Sequence, residues 1–375
     1  MKKLNLFFIL LFISTFLFSY QNYKNTDDNE LNDEDYFQQH KDISKSFQYN
    51  EYNYNEQYAN DLNNLKPTFL NELRLPQSYQ KKESKKIDFN ELEKRINNYL
   101  SKYKYVRVGY YIKDINRNEK IESNADELFA SASVVKVPLA LALFKDIENG
   151  LISTYRYPLY EERHRARGSG YLKRLKSGQR FSIADLTYLM LARSDNTATN
   201  ILADIVGIDR VTKFCWKNGW VNTNFVRDVM DLKARDKGIE NWTTPREIGE
   251  MFEALYKGTL LNRTLSNILL AYMLNPPIAD RIPRYLPASV DVVHKTGLIY
   301  DNTHDAGIMF LGDNQVIVIS VFVDNIGANY KIGKHIIGKI AEMVYEESIS
   351  EPRIVKATYN YPNKTKRKKS NYRYN

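Results

Sequence analysis

Cysteine is almost absent from this chain, because Cys215 is the single one among 375 residues. One thiol can form neither an intrachain disulfide nor a cysteine-based metal cluster, so both are excluded. Cys215 stands between Phe214 and Trp216, and this apolar context predicts a small buried hydrophobic side chain. The length is enough for a large core or for two domains.

Long apolar runs are also scarce, and one lies at the start of the sequence. Residues 1–3 are Met-Lys-Lys, and residues 4–18 carry no charge. A membrane span needs about 20 apolar residues, whereas a basic start and a shorter apolar stretch are typical of a secretory signal. We expect cleavage near Ser19 and a secreted or periplasmic protein; an uncleaved segment would anchor it to the membrane. No cysteine follows the stretch, which excludes lipoprotein acylation.

Branched aliphatic residues are rare between residues 21 and 86, where Asn, Tyr, Gln, Asp and Glu predominate. Such a composition buries too little apolar area to offset ordering entropy, so it predicts a disordered spacer. A small helical hairpin near residues 61–73 is the alternative. Residues 351–375 form a basic tail rich in Tyr and Lys, and much of the net charge of +9 lies there. This tail is either a solvated end or a binding segment for an anionic cell-wall polymer.

Between these segments, residues 87–350 have the periodicity of a folded domain. In chain order the pattern predicts a helix over 89–100, strands over 105–112 and 120–123, a mostly helical region over 131–274, strands over 306–311 and 315–323, and a helix over 330–347. Strands at both ends with helices between them predict an α+β fold. One antiparallel sheet, flanked by the N- and C-terminal helices, would pack beside a mostly helical lobe. A functional site would then lie in the cleft between the two.

A first candidate motif is the pair Ser133 and Lys136, which precedes the strongly helical run 137–143. Residues three apart share a helix face, so the Lys136 amine can approach the Ser133 hydroxyl. A serine needs a base to become a nucleophile, and a lysine serves when burial and nearby cations lower its pKa. The start of a helix also offers free N–H groups and positive dipole density. This spacing alone occurs by chance in many proteins.

A second motif, Ser194-Asp195-Asn196, lies between the helical stretches 183–192 and 197–206. A polar triplet at such a junction is most often a helix cap. The functional alternative makes Ser194 a proton relay and Asn196 an amide that clamps a substrate carbonyl.

A third motif, Lys295-Thr296-Gly297, follows the strand-like residues 290–293. A basic residue on an edge strand is usually solvated and guards against aggregation. In the functional alternative Lys295 holds a substrate carboxylate, and Gly297 lets backbone approach the ligand.

The three motifs together resemble the signature of class A β-lactamases and penicillin-binding serine hydrolases. Ser194 follows Ser133 by 61 residues, and Lys295 follows Ser194 by 101, which is similar to class A spacing. The resemblance covers about residues 88–348 and implies the two-lobed fold. Further matching runs are Gly168-Ser169-Gly170, Thr243-Thr244-Pro245 and His304-Asp305-Ala306-Gly307.

For the acyl-transfer step, the resemblance implies that Ser133 is the acylated nucleophile. Lys136 would be its base or proton relay, and Ser194 would pass a proton to the leaving nitrogen. Backbone N–H groups of Ser133 and Leu298 would form the oxyanion hole, where losing one donor costs about 100- to 1,000-fold in rate.

For substrate binding, the resemblance implies that Asn196 orients the acyl side chain. Lys295 and Thr296 would bind the substrate carboxylate, with Gly297 beside them. No cofactor and no metal are implied.

One departure concerns the removal of the acyl group. Class A enzymes carry Glu-x-x-Leu-Asn before Thr-Thr-Pro, whereas residues 227–233 here are Arg-Asp-Val-Met-Asp-Leu-Lys. Counting back from Pro245 places the family's glutamate near Asp228. An aspartate is one methylene shorter, and about 1 Å of misplacement can cost roughly 100-fold in rate. Asp228 or Asp231 is a candidate base; the alternative is a helix cap or an ion pair with Arg227. Acylation is predicted, and fast deacylation is not.

His294 and His304 flank the third motif, and Tyr171 follows the Gly-Ser-Gly run. No carboxylates with helpful spacing accompany the histidines, so we expect them to be buried or to line the cleft rather than to bind metal. Tyr171 either lines the cleft or packs in the core.

Three functions follow from the sequence. The first is a secreted serine hydrolase of class A β-lactamase type. The second is a D-alanyl-D-alanine peptidase or other wall hydrolase with slow deacylation, acting on a peptidoglycan stem peptide. The third is a non-catalytic wall-binding protein that uses the basic tail. We expect a monomer without a nucleic-acid partner, and a membrane contact only if the signal is uncleaved.

Overall fold

The computed structural model describes residues 86–153, 156–311 and 315–349. The predicted signal segment, spacer and basic tail lie outside the described residues, so these predictions remain untested. Within the described part of the chain, no helix is both long and apolar enough to cross a membrane.

Five strands form one antiparallel sheet in the order β2-β1-β7-β6-β5. Their bounds are β1 Arg107–Asp114, β2 Glu119–Ser123, β5 Asp291–Ile299, β6 Asn302–Leu311 and β7 Gln315–Asp324, and a separate two-stranded ribbon pairs β3 Phe129–Ala130 with β4 Trp242–Thr243. Strands from both ends of the domain therefore meet in one sheet, as predicted. The third motif lies on β5, which is an edge strand.

Helices cover both faces of this sheet. Their bounds are α1 Phe89–Leu100, α2 Lys136–Glu148, α3 Ile183–Ala192, α4 Asn196–Val206, α5 Ile208–Lys217, α6 Leu232–Asp236, α7 Pro245–Lys257, α8 Arg263–Tyr272 and α9 Tyr330–Ser348. Helices α1 and α9 pack together, α1 against β2 and α9 against β6 and β7, while α7 contacts β1, β6 and β7. Because the central strand β7 is covered on both sides, residues 315–323 are all buried and do not alternate between apolar and polar. The predicted α+β architecture is confirmed.

The predicted helical region contains a long irregular stretch that the sequence pattern did not indicate. Between α2 and α3, the described residues form two short 3-10 turns, Glu162–His164 and Leu172–Arg174. The first strand was predicted over 105–112 and spans Arg107–Asp114, so both of its ends lie two residues later than predicted. Its bounds follow from pairing, since Arg107 lies opposite Asp324 on β7.

Cys215 is fully buried on α5, as predicted. Burial raises the pKa of its thiol to about 12. The reactive form of cysteine is the thiolate, so this side chain is a packing group.

The irregular stretch is fastened to the start of α4 by one buried carboxylate. Asp195 Oδ1 accepts the N–H of Ala198 at 2.9 Å and caps the helix. Its Oδ2 accepts the N–H groups of Tyr171 at 2.6 Å and Leu172 at 2.9 Å. Gly170 makes this close approach possible, because it has φ +107° and a Cβ there would lie 2.3 Å from Asp195 Cγ.

Replacing Gly170 by alanine should therefore lower the free energy of unfolding more than the same change at Gly178. Both glycines have positive φ, but a Cβ at Gly178 would meet nothing within 4 Å. Overpacking against Asp195 should add about 2 kcal/mol to the backbone cost that the two variants share. Urea unfolding of the two variants measures the difference. Equal losses would show that the irregular stretch is not packed on Asp195.

Candidate active site

Ser133 lies on a short 3-10 turn, Ala132–Val135, directly before α2. The turn is held from two sides: the N–H of Ser131 donates to the Asn241 carbonyl at 2.8 Å, and His304 Nε2 donates to the Ala130 carbonyl at 2.9 Å. Burial lowers the pKa of His304 to about 4, so its imidazole is neutral. Ala132 has φ +46°, an unfavourable conformation for a residue with a Cβ that often marks functional sites. The half-buried Ser133 is thus presented on a fixed, strained turn.

Lys136 is fully buried at the first residue of α2. Its Nζ lies 2.7 Å from the Ser194 carbonyl, 3.0 Å from Ser194 Oγ and 2.7 Å from Asn196 Oδ1. A neutral amine can donate to the two carbonyl oxygens and accept from the Ser194 hydroxyl. Among the described residues, its hydrogen bonds do not include Ser133 Oγ. Helical spacing does place the two residues one turn apart, since the Lys136 N–H bonds to the Ser133 carbonyl, but the amine reaches across to the second motif.

The electrostatic surroundings of Lys136 favour its neutral form. Burial lowers the pKa of Lys136 well below its usual value, and the nearby Lys295 lowers it further, against an opposing effect of Asp195. A neutral amine can accept a proton from a neighbouring hydroxyl, which a lysine of ordinary pKa cannot do at neutral pH.

The Ser194 hydroxyl joins all three motifs. Its Oγ lies 3.0 Å from Lys136 Nζ and 3.0 Å from Lys295 Nζ. Ser194 is buried and has φ +55°, a second strained backbone position at the site. Its carbonyl also accepts the Ser169 hydroxyl at 2.9 Å, so the Gly-Ser-Gly run supports the motif directly.

Lys295 is fully buried on β5 and also donates to the Thr296 carbonyl at 3.0 Å. Burial lowers the pKa of Lys295 to about 7; Asp305 opposes this shift and Arg281 adds to it. Asp305 lies on β6 and contacts His294 Nδ1 at 2.8 Å, both side chains being fully buried. The two motif-flanking histidines are therefore buried, as expected, and His294 and His304 each have a separate hydrogen-bond partner.

Gly297 brings β5 against the turn that carries Ser133. A Cβ at Gly297 would lie 3.2 Å from Ala132 Cβ and 3.4 Å from the backbone nitrogen of Ser133. The strand residue that follows is Leu298, so the two predicted oxyanion donors belong to backbone segments in contact. Thr296, which precedes the glycine, is 7% exposed.

Asn196 connects the amine cluster to the rim of the cleft. Its Oδ1 accepts Lys136 Nζ, and its Nδ2 donates to the Arg167 carbonyl at 2.8 Å. Its backbone N–H donates to the Ser169 carbonyl at 3.1 Å. Residues 167–169 therefore hold the Asn196 side chain in one orientation. Tyr171, which follows them, is half-buried.

Among the described residues, the two aspartates proposed from the sequence form no hydrogen bond with Lys136 or Lys295. Asp231 caps α6, where its Oδ1 accepts the N–H of Ala234 at 3.0 Å. Asp228 is half-buried, and its pKa is raised by burial and by Asp231, with smaller effects of His164 and Asp204. The structure thus groups Asp228 with His164 and Asp204, whereas the groups that shift Lys136 are Lys295 and Asp195.

Two residues that shape this loop, Asn200 on α4 and Met230 in the loop itself, were not identified from the sequence. Asn200 clamps the backbone of Val229, accepting its N–H at 3.1 Å and donating to its carbonyl at 3.4 Å. The residue after Val229, Met230, has φ +65°. A Cβ built on Gly168 would lie 3.5 Å from the Met230 sulfur and 2.9 Å from Asn196 Nδ2. The Met230 thioether and the Asn196 amide therefore both lie beside Gly168, and spacing alone gave no signal for this position of Met230.

Arg281 is a further buried group that motif spacing did not reveal. It is 2% exposed, and its Nε donates to Thr303 Oγ1 at 2.7 Å. Through its charge it lowers the pKa of Lys295. Among the described residues, no group of three His, Cys, Asp or Glu side chains is arranged to hold a metal ion.

Comparison with known proteins places this geometry in a family. Residues 91–348 match the model of the Beta-lactamase enzyme family. Beta-lactamase VEB-1 of Pseudomonas aeruginosa is 27% identical over 67% of this chain and 88% of its own, and a β-lactamase of Streptomyces fradiae is 29% identical over 57% of this chain and 72% of its own.

Solved structures have the same fold. A β-lactamase from Sphaerobacter thermophilus is 28% identical, with a TM-score of 0.63 over 69% of this chain and 97% of its own. A mutant of PBP-A in acyl-enzyme complex with penicillin G is 24% identical, with a TM-score of 0.65 over 68% of this chain and 96% of its own, a likeness of fold. The family match covers more than half of the sequence, so this chain belongs to the β-lactamase enzyme family and is a serine hydrolase of class A-like type.

Proposed function

We propose that this protein opens β-lactam amides by forming an acyl ester on Ser133, with removal of the acyl group as the slow step. One observation supports this most strongly: the Ser194 hydroxyl lies 3.0 Å from the amines of both Lys136 and Lys295. Two buried amines surround one hydroxyl, and Lys136 follows Ser133 by one helical turn. This arrangement can form a proton pathway from nucleophile to leaving group.

In the acylation step the Ser133 hydroxyl attacks the amide carbon while its proton passes to a base. Lys136 is that base, because its low pKa keeps the amine neutral. Its current hydrogen bonds to Ser194 and Asn196 hold the amine within the site. A small movement of the Ser133 side chain then brings the hydroxyl into range, and such contacts often tighten only when substrate is bound.

The departing amide nitrogen needs a proton as the C–N bond breaks. Ser194 Oγ supplies it and is reprotonated from Lys136, which returns the amine to its neutral state. Lys295 Nζ, also 3.0 Å from Ser194 Oγ, disfavours a second charged amine there and so helps the proton move on toward the substrate.

Backbone and cationic groups would stabilise the substrate. The N–H groups of Ser133 and Leu298 form the oxyanion hole, a role supported by the packing of Gly297 against the Ser133 nitrogen. Lys295 and Thr296 bind the substrate carboxylate at the edge strand. Asn196 orients the acyl side chain on the opposite side, where its amide is already held by Arg167.

Slow deacylation follows from the loop around Asp228. Met230 is the loop residue that lies with Asn196 beside Gly168, and its thioether cannot activate water. Asp228 as the water-activating base remains a prediction from the sequence, and its grouping with His164 and Asp204 does not favour it.

This loop also favours the second candidate function, a D-alanyl-D-alanine peptidase that penicillins acylate and that releases them slowly. A peptidase of this kind would form an acyl ester between the peptide and Ser133 by the same chemistry. Forming that ester does not require the class A glutamate, which acts only when water removes the acyl group. The peptidoglycan stem peptide would be its substrate. Secretion by the N-terminal segment, a monomeric state and binding of anionic wall polymer through the basic tail remain predictions that rest on sequence alone.

Addition of benzylpenicillin should raise the intact mass of the protein by the mass of one penicillin, with the adduct on Ser133. Ser133→Ala should give no adduct, because no other hydroxyl shares the turn. Intact-mass spectrometry followed by peptide mapping measures both. Ser177→Ala, which removes an exposed hydroxyl outside the motifs, is the control and should be modified fully. An adduct on the Ser133→Ala variant would contradict the mechanism.

The second-order rate constant for acylation should fall as pH rises through about 7, the pKa of Lys295. Only the protonated amine binds the substrate carboxylate, so the fall approaches about tenfold per pH unit. Asp305→Asn removes a charge that raises this pKa, so the midpoint should move to lower pH.

A chromogenic β-lactam, followed from about pH 6 to pH 9, gives this midpoint. Asp209→Asn on α5 is the control and should leave it in place. A midpoint that Asp305→Asn does not move would show that Lys295 does not set the alkaline limb.

A carboxylate introduced beside Asn196 should shorten the lifetime of the acyl-enzyme. Met230→Glu should do so by at least about tenfold, since a positioned general base contributes roughly 100-fold or more. Met230→Gln has the same length without the charge and should leave the lifetime close to wild type. Asp228→Asn should also have little effect. A lifetime about 100-fold longer in Asp228→Asn would instead identify Asp228 as the base. Time-resolved mass spectrometry of the adduct measures these lifetimes.

A further inference from the structure

A histidine and an aspartate form a buried pair beside the third motif. His294 Nδ1 lies 2.8 Å from Asp305 Oδ1 and 3.0 Å from Asp305 Oδ2, and both side chains are fully buried. Asp305 Oδ2 also accepts the N–H of Ile282 at 3.0 Å. The proposed proton pathway uses neither side chain of the pair.

Strand pairing places this pair next to Lys295. On β5, Lys295 directly follows His294. Asp305, on β6, lies opposite Thr296. The residue opposite His294 is Gly307, where a Cβ would lie 2.7 Å from His294 Cβ. The glycine therefore leaves the space in which the imidazole reaches diagonally across the two strands to Asp305.

The hydrogen bonds of His294 indicate which of its ring nitrogens carries the proton. Nδ1 faces the Asp305 carboxylate and donates to it, because an ionised carboxylate can only accept. Among the described residues, the buried Nε2 has no hydrogen-bond partner. A second proton there would add a buried N–H donor with nothing to bind, which is costly. The neutral ring protonated on Nδ1 is therefore favoured, and the pair keeps the negative charge of Asp305.

Several cations surround this negative charge. Arg281 precedes the residue whose N–H binds Asp305, and Lys295 shares the Ser194 hydroxyl with Lys136. Burial lowers the pKa of Lys295 to about 7; Asp305 opposes this shift and Arg281 adds to it. Among the described residues, Asp305 makes no hydrogen bond with Lys295. Asp305 therefore acts on this lysine through its charge.

We propose that His294 is a positioning residue for Lys295: its Nδ1–H holds the Asp305 carboxylate ionised, and that charge keeps Lys295 cationic. This inference rests on the proposed acylation of Ser133. A hydrogen bond to the charged form of a carboxyl group favours that form. Without the imidazole N–H, Asp305 keeps only the N–H of Ile282 and takes up a proton more readily. Lys295 then loses its own proton at a lower pH.

His294→Leu should therefore move the alkaline midpoint of the acylation rate constant to lower pH by about one unit. His294→Asn keeps an N–H donor near the position of Nδ1 and should leave that midpoint close to wild type. Leu and Asn branch at the same carbon, so the two variants separate the hydrogen bond from packing.

Adding His294→Leu to Asp305→Asn should move the midpoint no further than Asp305→Asn alone, because both changes act through the same charge. Acylation by a chromogenic β-lactam, followed from about pH 5 to pH 9, measures the midpoint in each protein.

The wild-type protein gives a test that does not depend on the folding of His294→Leu. Histidine-selective nitrogen isotope labelling and NMR report the tautomer of each ring, and His294→Asn assigns the signal. His294 should remain neutral and protonated on Nδ1 from about pH 6 to pH 8. His304, whose Nε2 donates to the Ala130 carbonyl, should show the opposite tautomer.

An unmoved midpoint in His294→Leu, an equal shift in His294→Asn, or a His294 ring protonated on Nε2 at neutral pH would overturn the proposal. A further shift in the double variant would also overturn it, since His294 would then act independently of Asp305. Failure of the proposed function is distinguishable, because the wild-type protein would then form no adduct on Ser133 while the tautomer of His294 stayed the same.

Discussion

The site depends on one constraint: two buried amines share one hydroxyl. Ser194 Oγ lies 3.0 Å from both Lys136 Nζ and Lys295 Nζ, and both lysines are almost fully buried. Two ammonium ions at such spacing in a desolvated site repel each other strongly, so at least one amine must lose its proton. Burial and the neighbouring Lys295 lower the pKa of Lys136, and Lys136 follows Ser133 by one helical turn, which makes Lys136 the proposed base. Lys295 has Asp305 to oppose the loss and can remain the carboxylate-binding cation.

The surrounding fold holds these reacting groups in position through residues that take no part in the reaction. Edge strand β5 supplies Lys295 and presses Gly297 against the turn of Ser133. Asp195 ties the irregular stretch to α4 through three backbone N–H groups, two of them from that stretch. Two strained residues, Ala132 and Ser194, lie directly at the reacting groups, and rigid packing around them sustains this strain.

Much of this arrangement could be predicted from the sequence, because periodicity and motif order depend on local spacing. The strands at both ends, the strand position of Lys295 and the junction position of Ser194 all followed from local patterns. The contact between Gly170 and Asp195 did not, since it joins residues far apart in sequence. Neither did the place of Met230, because loop geometry and not spacing decides which residue of a loop faces the cleft. The same reason explains why Asp228, reached by counting from Pro245, lies with His164 and Asp204.

The most direct test of the central claim is the protonation state of the two amines themselves. Lysine-selective isotope labelling and NMR titration would follow Lys136 and Lys295 separately, with assignment by substitution of each residue. The account predicts that the Lys136 amine is neutral at pH 7 while Lys295 titrates near that pH. A Lys136 amine that stays charged up to about pH 9, close to the ordinary range of lysine, would contradict it.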